Sequence, residues 1–104
     1  GVSACSHVTL RGLHVRGAAG NGINIDDGGR LDQPSRYITV EDVQVTEIGP
    51  RGNLDGLKMS GVADFTVRRC RFEGWGGSAI DMVGCHRGTV EACRFNGKAG
   101  FSQD

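Results

Sequence analysis

An eight-residue pattern recurs four times in this sequence, as VTLRGLHV (8–15), ITVEDVQV (38–45), FTVRRCRF (65–72) and GTVEACRF (88–95). Its threonines are spaced 30, 27 and 23 residues apart, at Thr9, Thr39, Thr66 and Thr89. The first, third, sixth and eighth positions are apolar except at Gly88, which indicates two short strands separated by a two-residue corner. One such corner in every repeat favours a coil over a hairpin.

A third strand is predicted after the pattern in each of the first three repeats, at GINI (22–25), GLKM (56–59) and AIDM (79–82). Its alternate apolar side chains are expected to point inward, namely Ile23, Ile25, Leu57, Met59, Ile80 and Met82. Three strands in each repeat of 23 to 30 residues are the geometry of a parallel β-helix. Its coils would pair about 4.8 Å apart, so that no coil is stable alone.

One outward position of the pattern carries a charge that alternates in sign, at Arg11, Glu41, Arg68 and Glu91. In stacked coils these side chains would be cross-strand neighbours, where each opposite-charge pair contributes roughly 0.2–1 kcal/mol. We interpret this row as structural, and it supports the register of the coils.

The repeats resemble the right-handed β-helix proteins of the pectin-lyase-like superfamily over nearly the whole chain. The stretch NLDGLKMSG (53–61), continuing to GSAIDMVGCH (77–86), is similar to a subgroup of these proteins whose activity is generally not assigned. The resemblance implies an all-β, right-handed, single-stranded parallel β-helix of about four partial coils, with the substrate groove on the sheet of the third strands. Because neither end carries a capping helix, we expect residues 1–104 to be a fragment of one β-helix domain, truncated at both ends.

The composition narrows the classes of partner. Twelve Lys and Arg balance twelve Asp and Glu, so the chain has no broad basic footprint for nucleic acid. No apolar run approaches the roughly 18 residues that a membrane span needs. We expect no nucleic-acid partner and no membrane span; a monomer is compatible with the sequence, and no particular oligomer is indicated.

Stacking the third strands predicts three outward rows on the groove sheet. Gly22, Gly56 and Ala79 would form a floor without side chains. The next row holds Asn24, Lys58 and Asp81, and the last holds Asp26, Ser60 and Val83. Lys58 would lie about 5 Å from Asp81 and from Asn24. Such a strip of acid, amide and ammonium groups is typical of a saccharide site.

The resemblance implies a polysaccharide lyase, if the protein is catalytic. Lyases of this superfamily remove the proton beside a uronate carboxylate with Lys or Arg as the base, often with Ca²⁺ held by acidic side chains. Lys58 would be the base and Asp81 its catalytic neighbour, while Asp26 and Asp27 would form a partial calcium site. The candidate substrate-binding residues are Asn24, Arg51, Trp75, His86 and Arg87. The implied protein is secreted or on the cell surface and acts on a polysaccharide, which can be an acidic one.

Other readings of the same residues stay open. The protein could be a non-catalytic adhesion or glycan-binding module, in which Lys58 and Asp81 are only a solvated ion pair. Asp26 and Asp27 could belong to a turn, and Trp75 could cover the apolar underside of its own loop.

A polygalacturonase-like glycoside hydrolase is a second alternative, and an epimerase a more distant one. The segment NLDG (53–56) matches the first motif of those hydrolases, but GGS (76–78) stands where their Asp pair should be. If the protein is not such a hydrolase, Asp55 would serve to satisfy backbone groups at a turn, where it stacks with Asn21 and Ser78.

The four cysteines are predicted to be free thiols. Cys70 and Cys93 occupy the same inward position in adjacent coils, which favours two buried thiols over a disulfide. Cys5 and Cys85 would lie about 14 Å apart, three coils from each other, and beyond disulfide reach. No spacing of Cys and His indicates a zinc site.

Overall fold

A computed structural model describes residues 1–17, 20–30, 32–50 and 52–102, and within them the regular structure is entirely β. The strands are β1 (Val2–Ser3), β2 (Ser6–Arg11), β3 (His14–Arg16), β4 (Ile23–Asp26), β5 (Ser35–Glu41), β6 (Gln44–Ile48), β7 (Leu57–Ser60), β8 (Val62–Arg68), β9 (Arg71–Trp75), β10 (Ile80–Val83), β11 (His86–Glu91) and β12 (Arg94–Asn96). The described part of the chain contains no helix of the length and apolarity needed to cross a bilayer.

The strands form three sheets of four, wound as a right-handed β-solenoid of about three turns. The groove sheet has the order β1-β4-β7-β10, the second sheet β2-β5-β8-β11 and the third sheet β3-β6-β9-β12. All paired strands are parallel. Each strand therefore pairs with the equivalent strand of the next coil, and the predicted parallel β-helix is confirmed.

The register is the one that the repeated threonines predict. Thr39 pairs with Thr9 on one side and with Thr66 on the other, and Thr66 pairs with Thr89. The charged row follows the same register, since Glu41 lies between Arg11 and Arg68. Both arginines donate hydrogen bonds to its carboxylate.

The corner between the second and third sheets has one backbone solution in every coil. Gly12, Asp42, Arg69 and Ala92 adopt positive φ values of 68°, 52°, 50° and 51°. The N–H groups of the first three bond to the carbonyl oxygens of the next coil, at 3.2–3.3 Å between N and O. This bend turns the chain from the second sheet into the third within two residues, and hydrogen bonds to the next coil satisfy its N–H groups.

The core is the stack of inward side chains from all three sheets. Ile25, Leu57 and Met59 are fully buried in the groove sheet, and Ile23 is nearly so. The stacked rings of Phe72 and Phe95 extend this core, with their centroids 5.3 Å apart.

Met82 takes the inward position expected of it, in register with buried Met59, but its side chain is not buried. Met82 occupies an inward position but is 47% exposed, and Phe95 is also 47% exposed. Both belong to the coil of β10, β11 and β12, which pairs with one neighbouring coil among the described residues. An inward side chain is buried only when coils lie on both sides of it.

The expected smooth floor of the groove is also wrong. A Cβ on Gly22 would lie 2.6 Å from Val45 Cγ1, and one on Gly56 would lie 3.0 Å from the ring of Phe72. Ala79, the third member of this row, is only 8% exposed. These residues lie in the bend before the groove strands, so that they face the third sheet instead of the solvent.

Two further features complete the fold. Val2 and Ser3, which the repeat pattern did not assign to a strand, pair with Ile25 and Asp26 and add a fourth strand to the groove sheet. The four cysteines are free thiols, as predicted, and burial raises the pKa of the Cys70 thiol.

Candidate functional site

The central feature of the groove sheet is a row of polar side chains on β4, β7 and β10. Lys58 pairs in register with Asn24 on one side and with Asp81 on the other. The Lys58 Nζ lies 2.6 Å from Asp81 Oδ2, and the two side chains are 23% and 34% exposed. The predicted contact is present at the surface, where a ligand can reach it.

The Lys58–Asp81 ion pair fixes the charge state of the acid. The hydrogen bond from Lys58 is the largest cause of the lowered pKa of Asp81, and the lysine charge acts in the same direction. Asp81 is therefore a carboxylate at neutral pH. The lysine partner donates as an ammonium, which has no lone pair with which to accept a proton. General-base chemistry at Lys58 would first require this pair to separate.

Asn24 belongs to a hydrogen-bonded network at the other end of the row. Its amide nitrogen donates to Asp26 Oδ2 at 3.0 Å, and its amide oxygen accepts from Asn21 Nδ2 at 3.2 Å. Ser3 Oγ also donates to Asp26, and this bond is the largest cause of the lowered pKa of Asp26. Ser3 was missed because the repeat pattern did not include β1.

Asp26 and Asp27 do not fit a calcium site as they stand. Asp26 Oδ1 accepts the N–H of Gly28 at 2.8 Å, and Asp27 Oδ1 accepts the N–H of Gly29 at 2.9 Å, as in Asx turns. Ca²⁺ takes six to eight oxygen ligands. No group of three or more His, Cys, Asp or Glu side chains is placed to hold a metal in the described parts of the chain. The turn interpretation accounts for both carboxylates.

Buried Asp55 belongs to a ladder that joins three coils beneath the groove. Asn21 Oδ1 accepts the N–H of Asp55, and Asp55 Oδ1 accepts the N–H of Ser78, both at 2.8 Å. Asp55 is only 2% exposed. The carboxylate thus performs the backbone role that the sequence offered as the alternative to catalysis.

The remaining candidates lie around the groove at different depths. Trp75 is 4% exposed and packs in the core, which favours the covering role over sugar stacking. Exposed His86 borders a small cavity of about 310 Å³ that Asp27 also lines. Arg51 lies outside the described residues.

Arg87 is held by an ion-pair cluster on the second sheet. Its guanidinium lies 2.8 Å from Asp64, whose carboxylate also pairs with Arg36 at 3.1 Å. The hydrogen bond from Arg87 is the largest cause of the lowered pKa of Asp64. Asp64 was not singled out from the sequence, although aligning the residues just before each repeat places it next to Arg87.

Comparison with known proteins identifies the repeat but no specific relative. A family model described as a right-handed β-helix region matches residues 1–102. No curated protein and no solved structure matches the chain significantly.

Proposed function

The chain belongs to the right-handed β-helix family, and from this premise we propose that it is a polysaccharide-binding module whose groove sheet holds the sugar chain. The supporting observation is the half-exposed row of Asn24, Lys58 and Asp81, which offers an amide, an ammonium and a carboxylate at successive coils. Sugar hydroxyls both donate and accept hydrogen bonds, so they can engage all three groups. We also propose that the protein is secreted or lies on the cell surface.

An acidic polysaccharide is the preferred ligand of this proposal. A uronate carboxylate can take the place of the Asp81 carboxylate beside the Lys58 ammonium, and the released Asp81 side chain, which is 34% exposed, can then be hydrated by solvent. Because exposed ion pairs of this kind contribute little to stability, the exchange is inexpensive in free energy. Asn24 within the row and His86 at the neighbouring cavity are proposed as further contacts.

Lyase activity is the second candidate, and it rests on the same pair. To act as the base, Lys58 would have to be released from Asp81 and give up its own proton to solvent, after which its amine could take the proton beside the uronate carboxylate. A glycoside hydrolase is less well supported, because a hydrolase needs two available carboxylates and Asp55 is buried and engaged with the Ser78 N–H.

Substitution of Lys58 tests the binding proposal. We expect Lys58→Ala to weaken the binding of pectate or alginate about tenfold, which corresponds to about 1.4 kcal/mol. Asp81→Asn should strengthen it, because the ammonium then has no competing carboxylate. Isothermal titration calorimetry of the full chain measures both effects.

Lys98→Ala is the matched control for Lys58→Ala. Lys98 also forms an ion pair, with Glu47 at 2.6 Å, but it lies outside the groove row. Unchanged affinity in Lys58→Ala, or an equal loss in Lys98→Ala, would contradict the binding proposal. Release of unsaturated uronides, followed by near-ultraviolet absorbance and abolished by Lys58→Ala, would establish the lyase in its place.

A further inference from the structure

The third sheet breaks the charge pattern that the rest of the surface follows. On the second sheet Arg11, Glu41 and Arg68 alternate in sign, and on the groove sheet Lys58 faces Asp81. On the third sheet, however, Arg71 pairs in register with Arg94. Two like charges directly opposite each other on adjacent strands are destabilising.

Arg94 has no counterion among the described residues. Arg71 is held by Glu73 on its own strand at 2.6 Å, and Arg69 by Asp42 at 2.9 Å. No carboxylate in the described part of the chain lies within ion-pair distance of Arg94, which is exposed. Among the described residues, the Arg94 side of this like-charged pair is therefore not neutralised.

The three arginines surround a depression at the corner between the second and third sheets. Its volume is about 420 Å³, and it is lined by Arg69, Arg71, Arg94, Gln44 and Asp42 among others. Gln44 pairs in register with Arg71, so an amide extends the row by one coil. Arginine and amide donors converge here with Asp42 as the single acidic lining residue.

We propose that this depression is a second binding site, which takes the carboxylate or sulfate groups of an acidic polysaccharide between Arg71 and Arg94. A guanidinium binds such a group through two parallel N–H bonds, and the anion would remove the repulsion between the two arginines. A structural device that costs stability and has no partner within the fold is expected at a functional site. This site is separate from the groove row. A negative result here would therefore not contradict the proposal that the groove binds a polysaccharide.

The lining favours a saccharide over a nucleic acid. Single-stranded nucleic acids are bound by basic grooves that also present aromatic side chains for base stacking. None of the residues that line this depression is aromatic. Carboxylated and sulfated sugars need only the charged and hydrogen-bonding groups that are present.

The test compares heparin, pectate, neutral dextran and single-stranded poly-dT as probes of the full chain at several salt concentrations. We expect heparin or pectate to bind, and Arg94→Gln to weaken that binding about tenfold and to reduce the salt dependence of the logarithm of the affinity by about one. Arg30→Gln is the matched control, because Arg30 is an exposed arginine whose side chain bonds, among the described residues, to Gln33 alone. In a Lys58→Ala background, where groove binding is already weakened, Arg94→Gln should still weaken heparin binding by the same factor, which separates this site from the groove.

Reversing the charge of Arg94 distinguishes a ligand-binding role of the two arginines from a simple repulsion between them. Arg94→Glu places a carboxylate opposite Arg71, so we expect a higher melting temperature together with the loss of heparin binding. Equal affinities of Arg94→Gln and the parent protein, an equal loss in Arg30→Gln, or tighter binding of poly-dT than of either acidic polysaccharide would overturn the proposal.

Discussion

At the scale of single residues, the structure separates side chains that serve the backbone from those that face a ligand. Asp55 and Asn21 are chemically similar to groove residues, but each accepts a backbone N–H of the following coil. Lys58 and Asp81 bond to each other at the surface instead. Whether a polar side chain serves the backbone or faces a ligand is therefore decided by its burial and its hydrogen-bond partner more than by its residue type.

Asp55 provides a prediction about stability. Replacing Asp55 with Ala leaves the buried N–H of Ser78 without an acceptor, so the free energy of unfolding should fall by about 1–3 kcal/mol. Asp55→Asn keeps an amide oxygen in the same place, as Asn21 has one coil earlier, and should cost much less. Urea unfolding followed by circular dichroism measures both; equal losses would show that the charge, and not the acceptor, matters.

Glu47 provides a prediction about pH. Hydrogen bonds from Lys98 and Arg16 lower the pKa of Glu47 from 4.5 to about 2. A carboxyl group whose pKa is lower in the folded chain contributes stability that is present above its unfolded pKa and is lost as the pH falls towards the folded pKa. Glu41, Asp42 and Asp64 shift in the same direction, each chiefly through arginine hydrogen bonds.

The melting temperature should therefore be constant above about pH 5 and fall between about pH 4.5 and pH 2. Thermal unfolding followed by circular dichroism across this range measures the effect. Glu47→Gln should melt lower at pH 7 and show a shallower acid decline. A parent protein with the same melting temperature at pH 2 and pH 7 would rule out this contribution.

At the scale of strands, a large inward side chain in one coil is matched by a small one in the neighbouring coil. The inward row of the second sheet runs through Val8, Ile38, Phe65 and Gly88 in register. A Cβ on Gly88 would overlap the ring of Phe65, so the largest member of the row occupies the space of the smallest. The apparent defect of the repeat at Gly88 is thus a packing requirement.

Restoring the repeat at Gly88 should therefore destabilise the protein. We expect Gly88→Val to lower the free energy of unfolding by about 1–3 kcal/mol, through overpacking against Phe65. The double variant Gly88→Val with Phe65→Val should recover part of this loss, because the ring is removed. A double-mutant cycle in urea measures the coupling; strictly additive effects would contradict it.

Strand register could be predicted from the sequence, whereas the direction of bends could not. The alignment of the third strands GLKM (56–59) and AIDM (79–82) placed Lys58 beside Asp81 correctly, because register follows from aligning repeats. It could not show that Gly22 and Gly56 face the third sheet, because a period of two does not hold through a bend. Trp75 was ambiguous for the same reason, since its loop could turn inward or outward.

At the scale of the whole molecule, the stacked coils place different chemistry on each side. The groove sheet carries the Asn24, Lys58 and Asp81 row, while Arg71 and Arg94 lie on the third sheet. The sequence predicted the first of these surfaces, because its residue types match a known kind of site. It also contained the second, which becomes visible only when like charges are compared across the established register.

The alternating row of Arg11, Glu41, Arg68 and Glu91 has a consequence for how such a protein can lengthen by gene duplication. Tandem copying of two adjacent coils preserves the sequence of signs, because a base again follows an acid. Copying a single coil places two identical charges in contact and incurs a penalty at the junction. We therefore expect sequences that descend from this one to gain or lose coils two at a time.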